Sequence, residues 1–238
     1  MVCKKEIKAL SFPVYFWTIF IIAIAGLINS IYLAVSHYRV HTDILYSSFC
    51  AVSRSINCDT VSQSPYSIFL NVPVPVWGII GYAFFIVVLF FAKTKRADKI
   101  RMWPLLFVIA MGFSLYSILL AYISRYYIGA YCIMCIIGYG INFGLLYFTW
   151  LIRRRFPEKS FVKGLKKDFL FLLQCKRTLI CCFLPVLATA LLLPIYFPSY
   201  WKFELPALSS DIDTGVTEQG YPWIGAKDPE LVITEYTD

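Results

Sequence analysis

Charge is scarce in this sequence: only 15% of its 238 residues are Asp, Glu, Lys or Arg, against about 25% in an ordinary soluble domain. The scarcity is uneven. Five stretches contain none of the four residue types: Phe12 to Val35, Pro73 to Ala92, Trp103 to Ile123, Tyr131 to Ile152 and Thr178 to Tyr200. Each has about the 20 residues that an apolar helix needs to cross roughly 30 Å of hydrocarbon. Unpaired backbone groups are not tolerated in lipid, which rules out open strands. A soluble fold is therefore excluded, and an all-α integral membrane protein with five spans is expected. Spans without ionisable residues also argue against a transporter, in which such residues or broken helices typically lie near mid-membrane. Histidine is rare too, with two in the chain. His37 and His41 share a helix face near Asp43 at the outer end of the first span, where a polar helix end accounts for them, and no metal ligands are assigned.

The few charges are sorted by loop. Lys4, Lys5 and Lys8, then Lys93, Lys95, Arg96, Lys99 and Arg101, then nine between Arg153 and Arg177 all fall on one side of the spans. Arg39, Arg54, Arg125, Lys202 and Lys227 fall on the other. The positive-inside rule makes the first group cytoplasmic. Eight of the fourteen acids lie beyond Trp201, so the formal net charge of +8 reflects topology and not a nucleic-acid surface. A short basic segment before an apolar run resembles a signal peptide, but the length of the run and its lack of a small-residue cleavage pattern favour a retained helix. The expected division is a cytoplasmic N-terminus (1–11), a four-span body (12–152) with an exoplasmic loop (36–72), a basic cytoplasmic linker (153–177), a fifth span (178–200) and an exoplasmic tail (201–238). Within the linker, Phe161, Leu165, Phe169 and Leu172 recur at near-helical spacing among Lys163, Lys166 and Lys167. This reads as a basic amphipathic helix lying on membrane lipid, with a mobile polar linker as the alternative.

Topology then divides the eight cysteines. Cys3, Cys175, Cys181 and Cys182 are cytoplasmic or in the inner half of the fifth span, and read as small hydrophobes or, more weakly for Cys3 and Cys175, lipidation sites. Cys50, Cys58, Cys132 and Cys135 face the outer side, where disulfides persist. Cys132 and Cys135 form a CxxC at the start of a span. A zinc site would need a second ligand pair, and a structural bridge in so tight a ring is strained, so a redox role is the remaining use. A cysteine in the first turn of a helix meets unsatisfied N–H groups that favour a thiolate. Cys135 lies almost one turn deeper, within reach of a lipid-soluble oxidant such as a quinone. Cys50 and Cys58 lie in a Ser- and Asn-rich loop, where they either staple the loop or shuttle between a soluble partner and Cys132.

The loop pair in CAVSRSINCDTVSQSPYSIFLNVPVPVWGIIGY, followed by YCIMCIIGYGINF, resembles the vitamin K epoxide reductase family in its bacterial form, from roughly Phe12 to Ile152. The resemblance implies a four-helix bundle around a quinone, with a half-helix from the loop covering its outer mouth. It makes Cys132 and Cys135 the active pair, with Cys135 nearest the quinone, and Cys50 and Cys58 the shuttle pair, with Cys58 the partner of Cys132. It places Ser64 beside the active site and Tyr139 at a quinone carbonyl. Asp59 falls at an acidic position of bacterial members. Animal enzymes acting on vitamin K epoxide have asparagine where this sequence has Val74, which favours a quinone (menaquinone, ubiquinone or similar) over the epoxide.

The tail segment GYPWIGAKDPELVITEYTD, Gly220 to Asp238, resembles the approach to the first strand of a thioredoxin-like (DsbA-like) domain, and is expected to be either a cut or a degenerate fusion. The function implied is a membrane thiol:quinone oxidoreductase that reoxidises a periplasmic or lumenal thioredoxin-like/DsbA-like partner, in a bacterial inner membrane. The DsbB-type oxidase also has four helices and two cysteine pairs, but there the CxxC comes first. A non-enzymatic scaffold or transporter with structural disulfides is the reading from another class.

Overall fold

The computed structural model describes residues 12–53, 55–92, 102–155, 161–174, 184–202, 213–216 and 222–225. They fall into two units, residues 1–200 and 201–238. In the first, α1 (Phe12–Thr42), α3 (Val74–Ala92), α4 (Trp103–Ile123) and α5 (Ile133–Arg155) are the long helices. Between α1 and α3 lie α2 (Cys58–Gln63), a single 3-10 turn (Pro65–Ser67), and a hairpin of β1 (Ile68–Phe69) and β2 (Val72–Pro73). The short α6 (Phe161–Gln174) and α7 (Leu184–Tyr196) follow α5. The second unit contributes the antiparallel pair β3 (Asp213–Val216) and β4 (Pro222–Gly225).

Four helical stretches are long and apolar enough to cross a membrane: Pro13–Thr42, Val74–Ala92, Trp103–Ile128 and Ile133–Arg154. They match the first four expected spans, with α1 running seven residues past Val35. That extension carries His37 and His41 on the helix. Tyr131 and Cys132 precede α5, and the α4 stretch continues through a π-helical turn, Ser124–Ile128, closed by Gly129 at φ 71. Of the fifth expected span, residues 184–196 form the 13-residue apolar α7, and residues 178–183 lie outside the described residues. So do Cys3, Cys175, Cys181 and Cys182, and most of the tail segment that resembles a thioredoxin-like domain, of which Pro222–Gly225 is β4.

α1 packs on α3 and α5, and α4 packs on α5. Phe16, Ile19, Phe85, Leu89, Trp103, Leu106 and Leu145 are fully buried between them, while Ile21, Ile28, Ile118 and Leu119 point outward. Lipid is as apolar as leucine, so the helices are held by close packing and not by exclusion of water. Gly26 shows this: a Cβ there would run into the Tyr82 ring.

The alternating helices put the α1–α3 connection and the start of α5 at one end of the bundle. The opposite end is covered by α6, a helix that carries Phe161, Lys163, Lys166 and Phe169. Asp168, 2% exposed, accepts the Met102 N–H at 2.9 Å, and the Arg153 guanidinium lies 4.2 Å from the Phe161 ring and 5.0 Å from the Phe107 ring. These contacts fix the basic helix against the start of α4, while Val162, Phe169 and Leu170 remain exposed.

Candidate active site

Cys132 immediately precedes α5, and its carbonyl accepts the Ile136 N–H at 3.0 Å. It therefore stands at the helix N-cap, where a side-chain acceptor can satisfy one of the free N–H groups of the first turn. The Cys132 sulfur does so, accepting the Cys135 N–H at 3.2 Å. Its thiol is held below the ordinary value first by a hydrogen bond with the Cys135 side chain, then by the backbone N–H groups of Cys135 and Met134. Burial and the charge of Asp59 oppose this. Both Cys132, which is buried, and Cys135, which is half-buried, are free thiols.

Cys50 and Cys58 form a disulfide with a Cα–Cα separation of 5.6 Å. Cys58 opens α2, whose N-cap is Asn57: its side-chain oxygen accepts the N–H groups of Asp59 (2.9 Å) and Thr60 (3.2 Å). The same Asn57 donates its backbone N–H to the Tyr131 carbonyl at 2.9 Å, and Tyr131 donates to the Ser55 carbonyl at 2.8 Å. These two bonds tie the loop to the residue preceding the CxxC. Cys50, Cys58 and Cys132 consequently share one buried cluster with Leu33, Val61 and Met134 packed against it. Composition alone reads this loop as mobile, yet its backbone groups are spent on specific partners. Cys58, joined to Cys50, thus lies in the same cluster as the free thiol of Cys132. Asp59 accepts the Ser48 N–H at 3.1 Å, beside the same cluster.

Below the cysteines lies a cavity of about 470 Å³, lined by Cys58, Cys132, Cys135, Ser64 and Tyr139 together with residues of all four long helices. Five of the six candidate site residues thus converge on one space; Cys50 stands behind Cys58 and does not line it. Ser64 donates its hydroxyl to the Val61 carbonyl at 2.7 Å, capping the end of α2. Val74 lines the wall with an aliphatic side chain.

The structure adds polar lining residues that the sequence did not place in the site. Tyr82 donates to the Asn142 side-chain oxygen at 2.6 Å, and the Asn142 amide donates to Ser117 at 2.8 Å. Asn29 lies against Met134, donating to its carbonyl at 3.2 Å. His37 is not merely interfacial: it lines the cavity, with its ring nitrogens 2.7 Å from the Tyr200 hydroxyl and 3.2 Å from that of Ser67. Its ring stacks on that of His41 at 4.4 Å, and among the described residues no group of three or more potential ligands gathers for a metal. A lone Asn or Ser in an apolar run has no periodicity or spacing that marks it, so only the rotation of each helix about its axis could reveal these residues.

The family model described as the vitamin K epoxide reductase family matches residues 17–150. No curated protein matches the chain. The match covers more than half of the sequence and contains both cysteine pairs, so the chain belongs to the vitamin K epoxide reductase family. It is a multi-pass membrane oxidoreductase of the thiol–disulfide and quinone kind.

Proposed function

We propose that this member of the vitamin K epoxide reductase family is a thiol:quinone oxidoreductase that reoxidises a thioredoxin-like/DsbA-like protein on the outer side of a bacterial inner membrane. The observation that carries the proposal is the shared cavity, which has Cys58, Cys132 and Cys135 at one end and a tyrosine hydroxyl, Tyr139, on its wall. Its volume and largely apolar lining fit a quinone ring, and Val74 offers no side-chain hydrogen bond there, which favours quinone over epoxide reduction.

The partner's two thiols reduce the Cys50–Cys58 disulfide and leave with a disulfide of their own. The Cys58 thiolate then attacks the sulfur of a Cys132–Cys135 disulfide at Cys132. Resolution by Cys50 restores Cys50–Cys58 and leaves Cys132 and Cys135 as thiols. The oxidation states described above, a closed loop pair and an open CxxC, correspond to this point in the cycle. A bound quinone supplies an acceptor for two electrons and two protons. Cys132 and Cys135 give up both, closing their own disulfide, and Cys135 faces the cavity from which they leave. Tyr139 orients the ring by donating its hydroxyl, and the α2 turn with Ser64 screens the site from water. The lowered pKa of the Cys132 thiol favours its thiolate, the form that exchanges with disulfides, and the charge bias of the loops supports a cytoplasmic N-terminus.

The test uses the purified full chain in detergent, with decylubiquinone as acceptor and dithiothreitol as donor. Cys132→Ala and Cys135→Ala are expected to abolish quinone reduction. Cys50→Ala is expected to retain reduction driven by dithiothreitol and to lose that driven by a reduced thioredoxin-like protein. Full quinone reduction by Cys135→Ala overturns the proposal.

A further inference from the structure

Asn29 is 6% exposed and lines the cavity from α1, as Cys135, Gly138 and Tyr139 line it from α5. Its amide nitrogen donates to the Met134 carbonyl at 3.2 Å. That carbonyl can only accept, so it fixes which end of the amide is nitrogen. The remaining end, the oxygen Oδ1, is buried and has no hydrogen-bond partner. A buried acceptor without a donor is costly, and such atoms are rare enough to demand a reason. The placement is enforced from both sides: a Cβ on Gly138 would come within 3.1 Å of the Asn29 nitrogen, so the glycine leaves the room in which the amide lies against α5. The neighbouring Cys135 thiol makes no hydrogen bond to this oxygen either.

The two redox forms of the proposed acceptor differ at this point. A quinone carries only carbonyl acceptors, whereas a quinol carries two O–H donors. The Tyr139 hydroxyl can serve both, since it donates and accepts. An amide oxygen can serve only the quinol. We propose that Asn29 is a specificity-determining residue whose Oδ1 accepts a hydrogen bond from the quinol hydroxyl, so that the site binds the reduced product more tightly than it would without this residue while leaving quinone affinity unchanged.

This inference rests on the proposed quinone chemistry and adds a direction to it. In the step itself Cys132 and Cys135 lose two electrons and two protons and form one disulfide, and the quinone gains the same electrons and protons to become the quinol. Stabilising the bound quinol relative to the bound quinone raises the potential of the bound couple. A tenfold preference corresponds to about 30 mV for a two-electron couple. Asn29 thus pulls the equilibrium toward the closed CxxC.

The experiment measures equilibrium binding of decylubiquinone and of its quinol, each under conditions that keep its redox state, to the purified full chain and to Asn29→Ala and Asn29→Leu. The readout is the ratio of the two dissociation constants. The expected result is a quinol dissociation constant raised about tenfold, equivalent to about 1.4 kcal/mol, with the quinone value within about twofold of the original. Asn29→Ser, which keeps a small acceptor, is expected to recover part of the ratio. Equal weakening of both ligands, or no change in either, overturns the inference, and a misfolded variant falls under the first because it loses both. If the unaltered protein binds neither ligand, the quinone reading itself fails, and that outcome is distinct from a variant whose ratio is unmoved.

Discussion

The backbone N–H of Cys135 points at the sulfur of Cys132 across 3.2 Å. Three residues of sequence thereby become a helix cap whose acceptor is a thiol, and the reactive atom of the site doubles as the group that starts the helix. The chemistry and the local fold depend on the same contact.

The first expected outcome concerns pH. A thiol held below its ordinary value stays largely ionised above that lowered value and loses its charge only as pH falls through it. Alkylation of Cys132 by iodoacetamide, located by peptide mass spectrometry with the Cys50–Cys58 disulfide intact, is expected to reach half its maximal rate below pH 9.0, the ordinary cysteine value. Cys135→Ala removes the largest stabilising contact and is expected to move that midpoint upward.

Asp59 opposes the Cys132 thiolate through its charge. Asp59→Asn keeps an oxygen to accept the Ser48 N–H but removes the repulsion, so the Cys132 midpoint is expected to fall further. The same alkylation profile measures it, and an upward movement contradicts the electrostatic account.

Tyr139→Phe deletes one hydroxyl from the cavity wall without changing its shape. A hydrogen bond is worth about 1 kcal/mol net, so the KM for decylubiquinone is expected to rise about fivefold, while alkylation of Cys132 keeps its rate. Ser64→Ala is expected to act less on KM, because that hydroxyl is spent on the Val61 carbonyl.

Asn57→Ala removes the cap of α2, a loss of about 1 kcal/mol at such sites. Hydrogen exchange over Cys58–Gln63 is expected to quicken, and the Cys50–Cys58 disulfide to be reduced faster by dithiothreitol. Both measurements report on whether the loop holds the Cys50–Cys58 disulfide in place.

At the other end of the bundle, Asp168→Ala leaves the Met102 N–H without its carboxylate. Bonds to charged groups contribute about 1.5–3 kcal/mol. Trypsin is expected to cut at Lys163 or Lys166 more readily in this variant, with quinone reduction little altered.

Much of this was legible along the chain because crossing a membrane is a local condition. Twenty apolar residues satisfy it wherever they lie, so the four long helices follow from residues read in order. The motif spacing likewise put Cys132 at a helix start. Tertiary structure alone decided what meets what. Asn29 and Met134 are 105 residues apart and Tyr82 and Asn142 are 60 apart, and nothing in an apolar run says which way a helix is turned. The cavity, its unpaired amide oxygen and the bonds from Tyr131 that hold the Cys50–Cys58 loop against the CxxC arise only when four helices pack at close range, because that packing fixes the rotation of each one.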